Sequence, residues 1–262
     1  MAGLIEALSS ARVFDLEQLR YAGAPSHPAH LPGFNYFLHR HHARGAPEPR
    51  TGASGVVVMP EHSGTHIDAL SHQAENLTLH GGIHVDEGIQ TSTGFKVLGV
   101  ETMAPLLGRG VLLDVAAERK LTPEYSISAD DLERAASRAH VEVREGDVAL
   151  VRTGWGALWS DPEEYLRAPG VSAAGSRWLI ARKVMAVGAD NLAWDLMGQM
   201  DPELGVTLPG HVLLLVRAGI PIIENLNLEE LAGAGVHEFA FVCLPLKMRG
   251  ATGSPVRPIA IA

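Results

Sequence analysis

The sequence lacks several features that define broad classes of protein. Its single cysteine, Cys243, excludes an internal disulfide and any metal site built from several thiolates. The formal net charge is −9 and no dense run of lysine or arginine occurs, so a nucleic-acid-binding surface is not expected. The longest apolar stretch, residues 212–223, is too short to span a bilayer and is interrupted by Arg217, Gly219 and Pro221. We therefore expect a cytoplasmic protein with no nucleic-acid or membrane partner.

Length and composition permit a large apolar core. At 262 residues and 46% hydrophobic content, the chain can bury roughly three quarters of the surface that it exposes when unfolded. Residues 21–53 differ from the rest, because they are rich in proline, glycine, histidine and arginine. Residues 1–8 have no cationic start and carry Glu6, so they are not expected to be a signal peptide. We predict an N-terminal arm over 1–53 and one domain over 54–262. Within the arm, Phe34, Tyr36 and Phe37 either lie on a surface loop or cover a pocket, in this subunit or in a neighbouring one.

From residue 54 onward, segments typical of strands and of helices alternate. Apolar runs predict strands at 54–59, 111–115, 148–152, 184–189, 220–224 and 239–246. Helices are predicted over about 129–140 after a capping box at Ser128, up to about Lys183 after a cap at Ser172, and over 210–218 before a stop at Gly219. This order predicts an α/β or α+β fold with a central sheet, in which Cys243 is a packed and inert thiol.

The densest group of polar side chains follows the first of these strands. His62, His66, Asp68 and His72 fall within eleven residues. In an extended chain His66 and Asp68 point to the same side, and Gly64 permits the turn that brings His62 toward them. Two imidazoles and one carboxylate suit zinc, manganese or iron(II) better than calcium or magnesium. The run therefore predicts a metal site made by His62, His66 and Asp68, whose carboxylate needs a cation in its apolar surroundings.

Histidine is abundant, with 13 residues in the chain, so chance clustering has to be weighed against this prediction. A single histidine is more often a hydrogen-bonded core or surface residue than a ligand. We give that ordinary interpretation to the histidines at 27, 30, 39, 41, 42, 80, 84, 140 and 237. His211 opens an apolar helix and Glu224 closes an apolar strand, so each could face a site. Their spacing alone does not connect them to the first cluster.

The run from His62 to His72 resembles the H-x-G-T-H-x-D-x-x-x-H signature of the cyclase family. That family includes bacterial kynurenine formamidases, isatin hydrolases and a trans-dienelactone hydrolase. Further segments are similar to the family and extend the resemblance over residues 50–262. These segments are residues 146–155, 188–190, 208–211, 219–226 and 245–257.

The resemblance implies a swivelling β/β/α fold with a central mixed sheet. It also implies a homodimer, or a homotetramer built from dimers. For the site, it implies that His62, His66 and Asp68 bind a divalent metal, manganese or zinc, and that His72 acts as acid or base.

The family's branches differ in how many metal ions they use. In the formamidase branch a second ion lies between the aspartate and a distal histidine and glutamate, which correspond here to His211 and Glu224. In the isatin-hydrolase branch one manganese is used and the glutamate position is not acidic. This chain keeps Glu224, which permits two ions, but Leu70 stands where formamidases carry proline. Pocket shape and substrate are therefore expected to differ from those of the formamidases.

The chemistry expected from these residues is hydrolysis. A divalent metal lowers the pKa of bound water from 15.7 toward roughly 7, and the resulting metal-bound hydroxide would attack the carbonyl of a small amide, cyclic amide or imide, or lactone. His72 suits the proton transfer, because the ordinary pKa of histidine lies near neutrality. No Gly-x-Ser-x-Gly motif occurs, which argues against a serine hydrolase. We expect amide-bond cleavage more than ester cleavage, and Trp155 joins the arm's aromatic residues as a possible substrate contact.

Two alternatives remain at the level of sequence. His66, Asp68 and His211 could form the two-histidine, one-carboxylate triad of an iron(II) oxygenase, which would leave His62 and His72 unused and would predict an all-β jelly roll. A metal-binding protein without catalysis would need no His72. Both alternatives account for fewer of the residues in the run than the hydrolase does.

Overall fold

The computed structural model describes residues 2–45 and 47–262; Met1 and Ala46, both within the predicted arm, lie outside the described residues. The strands are β1 (Val13–Asp15), β2 (Asn35–Arg40), β3 (Ser54–Val58), β4 (His66–Asp68), β5 (Thr78–Leu79), β6 (Ile83–His84), β7 (Gln90–Thr91), β8 (Gly94–Phe95), β9 (Leu106–Asp114), β10 (Ser126–Ile127), β11 (Val148–Arg152), β12 (Gly170–Val171), β13 (Ala186–Ala189), β14 (Ile222–Glu224), β15 (Glu238–Cys243), β16 (Gly253–Pro255) and β17 (Ile259–Ile261).

The helices are shorter in total than the strands. They are α1 (Ala2–Ser10), α2 (Ala129–Ala139), α3 (Pro162–Tyr165), α4 (Ala173–Ala181), α5 (Pro209–His211) and α6 (Glu229–Gly233), with a π-helix at Val212–Ala218 directly after α5. Short 3₁₀ turns lie at Pro28–His30, His80–Gly82, Val100–Thr102 and Trp155–Leu158.

Nine strands of the described chain form one large mixed sheet. Its order is β1-β17-β15-β9-β11-β13-β14-β4-β16. The central strands β9, β11, β13 and β14 run parallel, whereas β4 pairs antiparallel with both β14 and β16. The predicted mixed α/β fold with a central sheet is confirmed, and the all-β jelly roll expected of the oxygenase alternative is not the observed fold.

Both faces of the central sheet are buried, which explains the continuous apolar runs of its parallel strands. Along β11, Ala149 and Val151 face a core that includes residues of α2 and α4, because side chains alternate across a strand. Val148 and Leu150 face a second core that contains Phe14 and residues of α6. The sheet is therefore the middle layer of the domain.

Most of the predicted elements are observed, with differences at two places. Helix α2 opens with the predicted capping box, in which the hydroxyl of Ser128 accepts from the N–H of Asp131. The predicted helix at 210–218 is instead a single α-helical turn followed by the π-helix, which ends at Gly219 in the left-handed conformation. Helix α1 was not predicted.

Burial raises the pKa of the Cys243 thiol to about 12, so the expectation of an inert thiol is confirmed.

The N-terminal segment contributes to two separate structures. Strand β1 pairs with β17 at one edge of the large sheet, and Phe14 and Leu16 are buried in the core. Strands β2 and β3 form a two-stranded hairpin of their own, with large apolar side chains exposed along both strands. Among the described residues, no helix is long and apolar enough to cross a membrane.

Candidate active site

The strand β4 places the first two residues of the predicted metal site. His66 and Asp68 are both buried and lie at alternate positions of this strand, as predicted. Gly64 has a left-handed φ of +64°, and a side chain there would collide with the guanidinium of Arg20. The turn at Gly64 brings His62 back so that its Nδ1 lies 2.8 Å from Oδ1 of Asp68.

The neighbouring strand β14 delivers Glu224 to the same point. Glu224 stands opposite His66 in the antiparallel register of β14 and β4, and Nε2 of His66 lies 3.4 Å from Oε2 of Glu224. His211 reaches the site from α5: its Nε2 lies 3.5 Å from Oδ2 of Asp68 and 3.3 Å from Oε1 of Glu224. The structure thus brings together all five residues named from the sequence as candidate ligands.

Each imidazole of this cluster is held by a second contact. Nδ1 of His66 lies 2.8 Å from the carbonyl oxygen of Gly64, and Nε2 of His62 lies 2.9 Å from the hydroxyl of Thr252. Nδ1 of His211 lies 2.7 Å from Oδ2 of Asp195, a fully buried carboxylate. These contacts fix the ring orientations, as the outer partners of metal-binding histidines do.

The buried carboxylates of the cluster are short of hydrogen-bond donors. Neither oxygen of Asp68 accepts a well-aligned hydrogen bond within the described structure, and the same holds for Oε1 of Glu224. A buried carboxylate without donors is costly unless a cation compensates it. The donor set and these orphaned oxygens therefore fit a divalent metal ion, and the ligand atoms of His62, His66 and Asp68 all lie within 4.8 Å of one another.

The carboxylates and imidazoles of the site shift one another's pKa values in opposite directions. Burial lowers the pKa of His211, but its contacts with the carboxylates of Asp195, Asp68 and Glu224 raise it well above its ordinary value. The pKa of His66 is raised in the same way, mainly by Glu224. Burial raises the pKa of Asp68, yet the surrounding imidazoles hold it well below its usual range. The site is electrostatically prepared for a cation.

His72 lies beside this cluster. Its ring centroid lies 4.0 Å from that of His62 and 6.1 Å from that of His211. Burial lowers the pKa of His72 to about 3, so its ring is neutral at pH 7 and does not have the near-neutral pKa that the sequence suggested. A ring nitrogen of His72 also lies within 4.8 Å of ligand atoms of Asp68 and His211, so these three residues form a second group that could hold a metal ion.

The cluster opens into a cavity of about 200 Å³. His62, His66, His72, His211 and Glu224 form its polar end. Apart from His27 and His30, which lie at the 3₁₀ turn Pro28–His30, the remaining described lining residues are small, apolar or neutral. They are Pro25, Ser26, Ala29, Gly64, Gln73, Leu192, Ala193, Leu208 and Asn225.

The aromatic residues that the sequence suggested as substrate contacts do not line the cavity of this chain. Trp155 is fully buried in the core and donates its indole N–H to the carbonyl oxygen of Glu164. Tyr36 and Phe37 lie on the exposed hairpin of β2 and β3. Neither these three residues nor Phe34, the fourth aromatic candidate, is among the described residues that line the cavity of this chain.

Sequence reasoning missed Asp195, His27 and His30. Asp195 lies in an irregular segment 16 residues before its partner His211, where no periodicity marks it. His27 and His30 were given the ordinary interpretation, although the histidine-rich composition of the arm was a signal that could have drawn attention to them. The hydroxyl of Thr65 donates to the carbonyl oxygen of Asn225 over 2.6 Å and so ties the loop before β4 to the end of β14.

Comparison with known proteins gives the same family as the signature did. The family model named Cyclase matches residues 14–196. An isatin hydrolase of Roseibium aggregatum is 27% identical over 215 residues, covering 78% of this chain and 73% of that protein. A kynurenine formamidase of Polaromonas naphthalenivorans is 26% identical over 183 residues, covering 70% of this chain and 71% of that protein. Both relatives are hydrolases by name.

A solved crystal structure has the same fold as this chain. A crystal structure described as a novel cyclase has a TM-score of 0.87 to this chain, with 29% sequence identity, and the match covers 100% of this chain and 90% of that one. This chain thus shares the large mixed sheet and its flanking layers with that solved protein.

Proposed function

Because the chain belongs to the cyclase family, we propose that it is a metal-dependent hydrolase of small neutral amides, cyclic amides or imides, or lactones. The observation that carries this proposal is the pair of buried carboxylates, Asp68 and Glu224, whose orphaned oxygens face three imidazoles at the end of a cavity. The hydrolase names of the two relatives support the same class of reaction.

In this proposal His62, His66 and Asp68 hold a first divalent ion, manganese or zinc. His211 and Glu224, together with Asp68, would hold a second ion, because Nε2 of His211 lies 3.5 Å from Oδ2 of Asp68 and 3.3 Å from Oε1 of Glu224. Such ions supply Lewis acidity and a water molecule acidic enough to ionise near neutral pH. Asp195 fixes His211 so that its Nε2 lone pair faces the site.

His72 is the proposed general base and general acid. The observation that supports this role is its position at the cavity wall, next to the ligand cluster. A neutral imidazole can take the proton from the attacking water and can then donate it to the departing nitrogen or oxygen. Amide cleavage is the favoured reaction and lactone cleavage the second.

The lining of the cavity favours a neutral substrate. Among the described lining residues there is no lysine or arginine that could pair with a carboxylate of the substrate. N-formylkynurenine, whose formyl group is on the aryl nitrogen, carries both a free ammonium and a carboxylate group, which such a lining would desolvate without partners. A cyclic amide such as isatin carries neither charge. The cavity therefore supports the isatin-hydrolase type of substrate over the formamidase type.

The proposed partner is a second copy of this chain. On the hairpin of β2 and β3, the large apolar side chains Tyr36, Phe37, Val56, Val57 and Val58 are all exposed. Phe37, Val56 and Val58 share one face of the hairpin, and Tyr36 and Val57 share the other. Exposed apolar surface of this kind marks interaction sites on soluble proteins. An isolated two-stranded hairpin is only marginally stable in water, so packing against a second hairpin would stabilise both.

The proposed function is tested by assaying hydrolysis with protein that has been stripped of metal and then reloaded with manganese or zinc. We expect opening of isatin that is lost with a chelator, is restored by the metal, and exceeds the hydrolysis of N-formylkynurenine. Preference for the formamide would contradict the neutral-substrate argument. Absence of hydrolysis across neutral cyclic amides, formamides and lactones would contradict the enzymatic proposal as a whole.

A further inference from the structure

Asn225 directly follows the proposed ligand Glu224 and has an unusual backbone conformation. Its φ is +57°, in the left-handed region that residues other than glycine rarely adopt and in which asparagine is enriched. Its backbone N–H donates to the carbonyl oxygen of Asn191 over 3.0 Å, which holds the chain in place at the end of β14. The side chain of Asn225 is buried, so its polar atoms need partners inside the protein.

The side-chain amide of Asn225 reaches the turn that carries the metal-binding histidines. Its Nδ2 donates to the carbonyl oxygen of Gly64 over 3.1 Å, and the same carbonyl oxygen lies 2.8 Å from Nδ1 of His66. A carbonyl oxygen has two lone pairs, so it can accept from both groups at once. The hydroxyl of Thr65 donates to the backbone carbonyl oxygen of Asn225 over 2.6 Å. Asn225 thus holds the turn before β4 through its side chain and through its backbone.

Tyr165 fixes the orientation of this amide. It is fully buried, and its hydroxyl donates to Oδ1 of Asn225 over 2.9 Å. Burial raises the pKa of Tyr165 well above its ordinary value, so the hydroxyl keeps the proton that it donates. The carbonyl oxygen of Gly64 can only accept, so the Nδ2 end of the amide has to face it. With a donor at one end and an acceptor at the other, the amide has a single favourable orientation.

These contacts join the ligands of the two proposed ions. We infer that Asn225, oriented by Tyr165, is a positioning residue that holds the first group of ligands at a fixed place relative to Glu224. The connection runs through the carbonyl oxygen of Gly64, which engages Nδ1 of His66. The other ring nitrogen, Nε2, then faces the site and lies 3.4 Å from Oε2 of Glu224. This inference rests on the proposed function, because it concerns the ligands of the proposed metal ions.

Loss of the amide should weaken metal binding without removing a ligand. Removing the direct outer partner of a metal-binding histidine typically lowers metal affinity by roughly 10- to 100-fold. Asn225 acts one contact further out, since the carbonyl group of Gly64 stays in place, so we expect the lower end of this range, about tenfold. Tyr165 contributes one neutral hydrogen bond through the amide, which corresponds to roughly threefold.

The experiment measures the zinc affinity of the metal-free chain by competition with a chromogenic chelator. Asn225→Gly removes the amide and adopts the left-handed conformation without strain, so it tests the side chain alone. We expect this variant to bind zinc about tenfold more weakly than wild type, and Tyr165→Phe about threefold more weakly. Asn76→Gly is the matched control, because Asn76 is exposed and also left-handed, with a φ of +49°, and it should bind zinc as wild type does.

Two further measurements separate positioning from a general effect on folding. Tyr165→Phe introduced into Asn225→Gly should cause no further loss of zinc affinity, because the hydroxyl acts through the amide that is already gone. The visible absorption spectrum of bound cobalt(II), which depends on the arrangement of the ligands, should change in Asn225→Gly and stay unchanged in Asn76→Gly. A residue that only stabilised the fold would lower the free energy of unfolding without changing this spectrum.

The outcomes separate this inference from the proposed function. Zinc affinity and a cobalt spectrum equal to those of wild type in Asn225→Gly would overturn the positioning role and leave the hydrolase proposal standing. The same loss of affinity from Tyr165→Phe in both backgrounds would overturn the route through the amide. If Asn225→Gly does not fold, Tyr165→Phe decides alone, and zinc affinity equal to that of wild type would then overturn the inference. Wild type that binds no zinc would overturn the proposed metal site, and the inference with it.

Discussion

Nδ1 of His211 donates to Oδ2 of Asp195 over 2.7 Å, and both side chains are buried. The same carboxylate also accepts the backbone N–H groups of Gly210 and His211, at 2.6 and 3.0 Å. Asp195 therefore holds α5 and the His211 ring as one unit. Because Nδ1 is engaged by Asp195, Nε2 is the ring nitrogen that faces Asp68 and Glu224.

This relationship predicts that Asp195 sets metal affinity without being a ligand. Asp195→Asn should lower the affinity for zinc by roughly 10- to 100-fold, because the amide can reverse the tautomer of His211. The measurement is competition with a chromogenic chelator. Asp201→Asn is the control, since Asp201 also accepts backbone N–H groups but lies away from the ligand cluster. Equal zinc affinity of Asp195→Asn and wild type would contradict the positioning role.

The role of His72 predicts a separation of metal binding from turnover. His72→Ala should leave metal content unchanged and lower kcat by roughly 10²- to 10⁴-fold, the usual contribution of a general acid or base. Metal content and kcat are measured on the same preparation. A loss of metal would instead make His72 a ligand, as its closeness to Asp68 and His211 permits. Unchanged kcat would remove it from the proposed chemistry.

Asp190 predicts a pH dependence of stability that is independent of the metal. Burial raises the pKa of this carboxyl from 3.8 to about 6, although it accepts backbone N–H groups from Thr153, Gly154 and Gly156. Between about pH 4 and pH 6 the unfolded chain loses this proton while the folded chain keeps it, so the contribution of Asp190 to stability falls as pH rises. A shift of this size corresponds to about 3 kcal/mol.

The measurement for Asp190 is urea unfolding of the metal-free protein. The free energy of unfolding of wild type minus that of Asp190→Asn should decrease by up to about 3 kcal/mol from about pH 4 to about pH 7. A difference that stays constant with pH would show that the folded carboxyl titrates normally. A difference that increases with pH would show that the three N–H donors outweigh burial.

The exposed hairpin predicts a change of oligomeric state. Val57→Lys places a charge in the apolar surface of β3 and should convert the proposed dimer to a monomer, as measured by analytical ultracentrifugation. Val13→Lys is a matched control, because Val13 is 55% exposed on β1 and Val57 is 51% exposed. Dissociation by Val13→Lys alone would place the contact at the other edge of the molecule, and a monomeric wild type would contradict the dimer.

The local parts of the fold and site could be predicted from the sequence. The apolar run of β11, the capping box of α2 and the alternation of His66 and Asp68 depend on neighbours within a few residues. The same locality explains why Gly64 could be assigned to a turn.

The parts of the site that could not be predicted from the sequence depend on contacts between segments that are far apart in the chain. Glu224 meets His66 only because β14 and β4 are neighbours in the sheet, and neither spacing nor composition reveals that pairing. Here the family resemblance supplied the connection. Nothing comparable identified Asp195, whose contact with His211 arises where an irregular segment meets α5, or His27, which precedes a single 3₁₀ turn at the cavity. The π-helix after His211 likewise has the composition of an ordinary α-helix.

The central claim is that the buried cluster holds divalent metal, and the most direct test is the metal content of purified protein measured by inductively coupled plasma mass spectrometry. With zinc or manganese supplied, wild type should hold about two equivalents, Glu224→Ala about one, and Asp68→Ala close to none, because Asp68 is the carboxylate shared by both proposed ions. About one equivalent in both wild type and Glu224→Ala would limit the site to His62, His66 and Asp68. Wild-type protein that retains no metal after reloading would contradict the account.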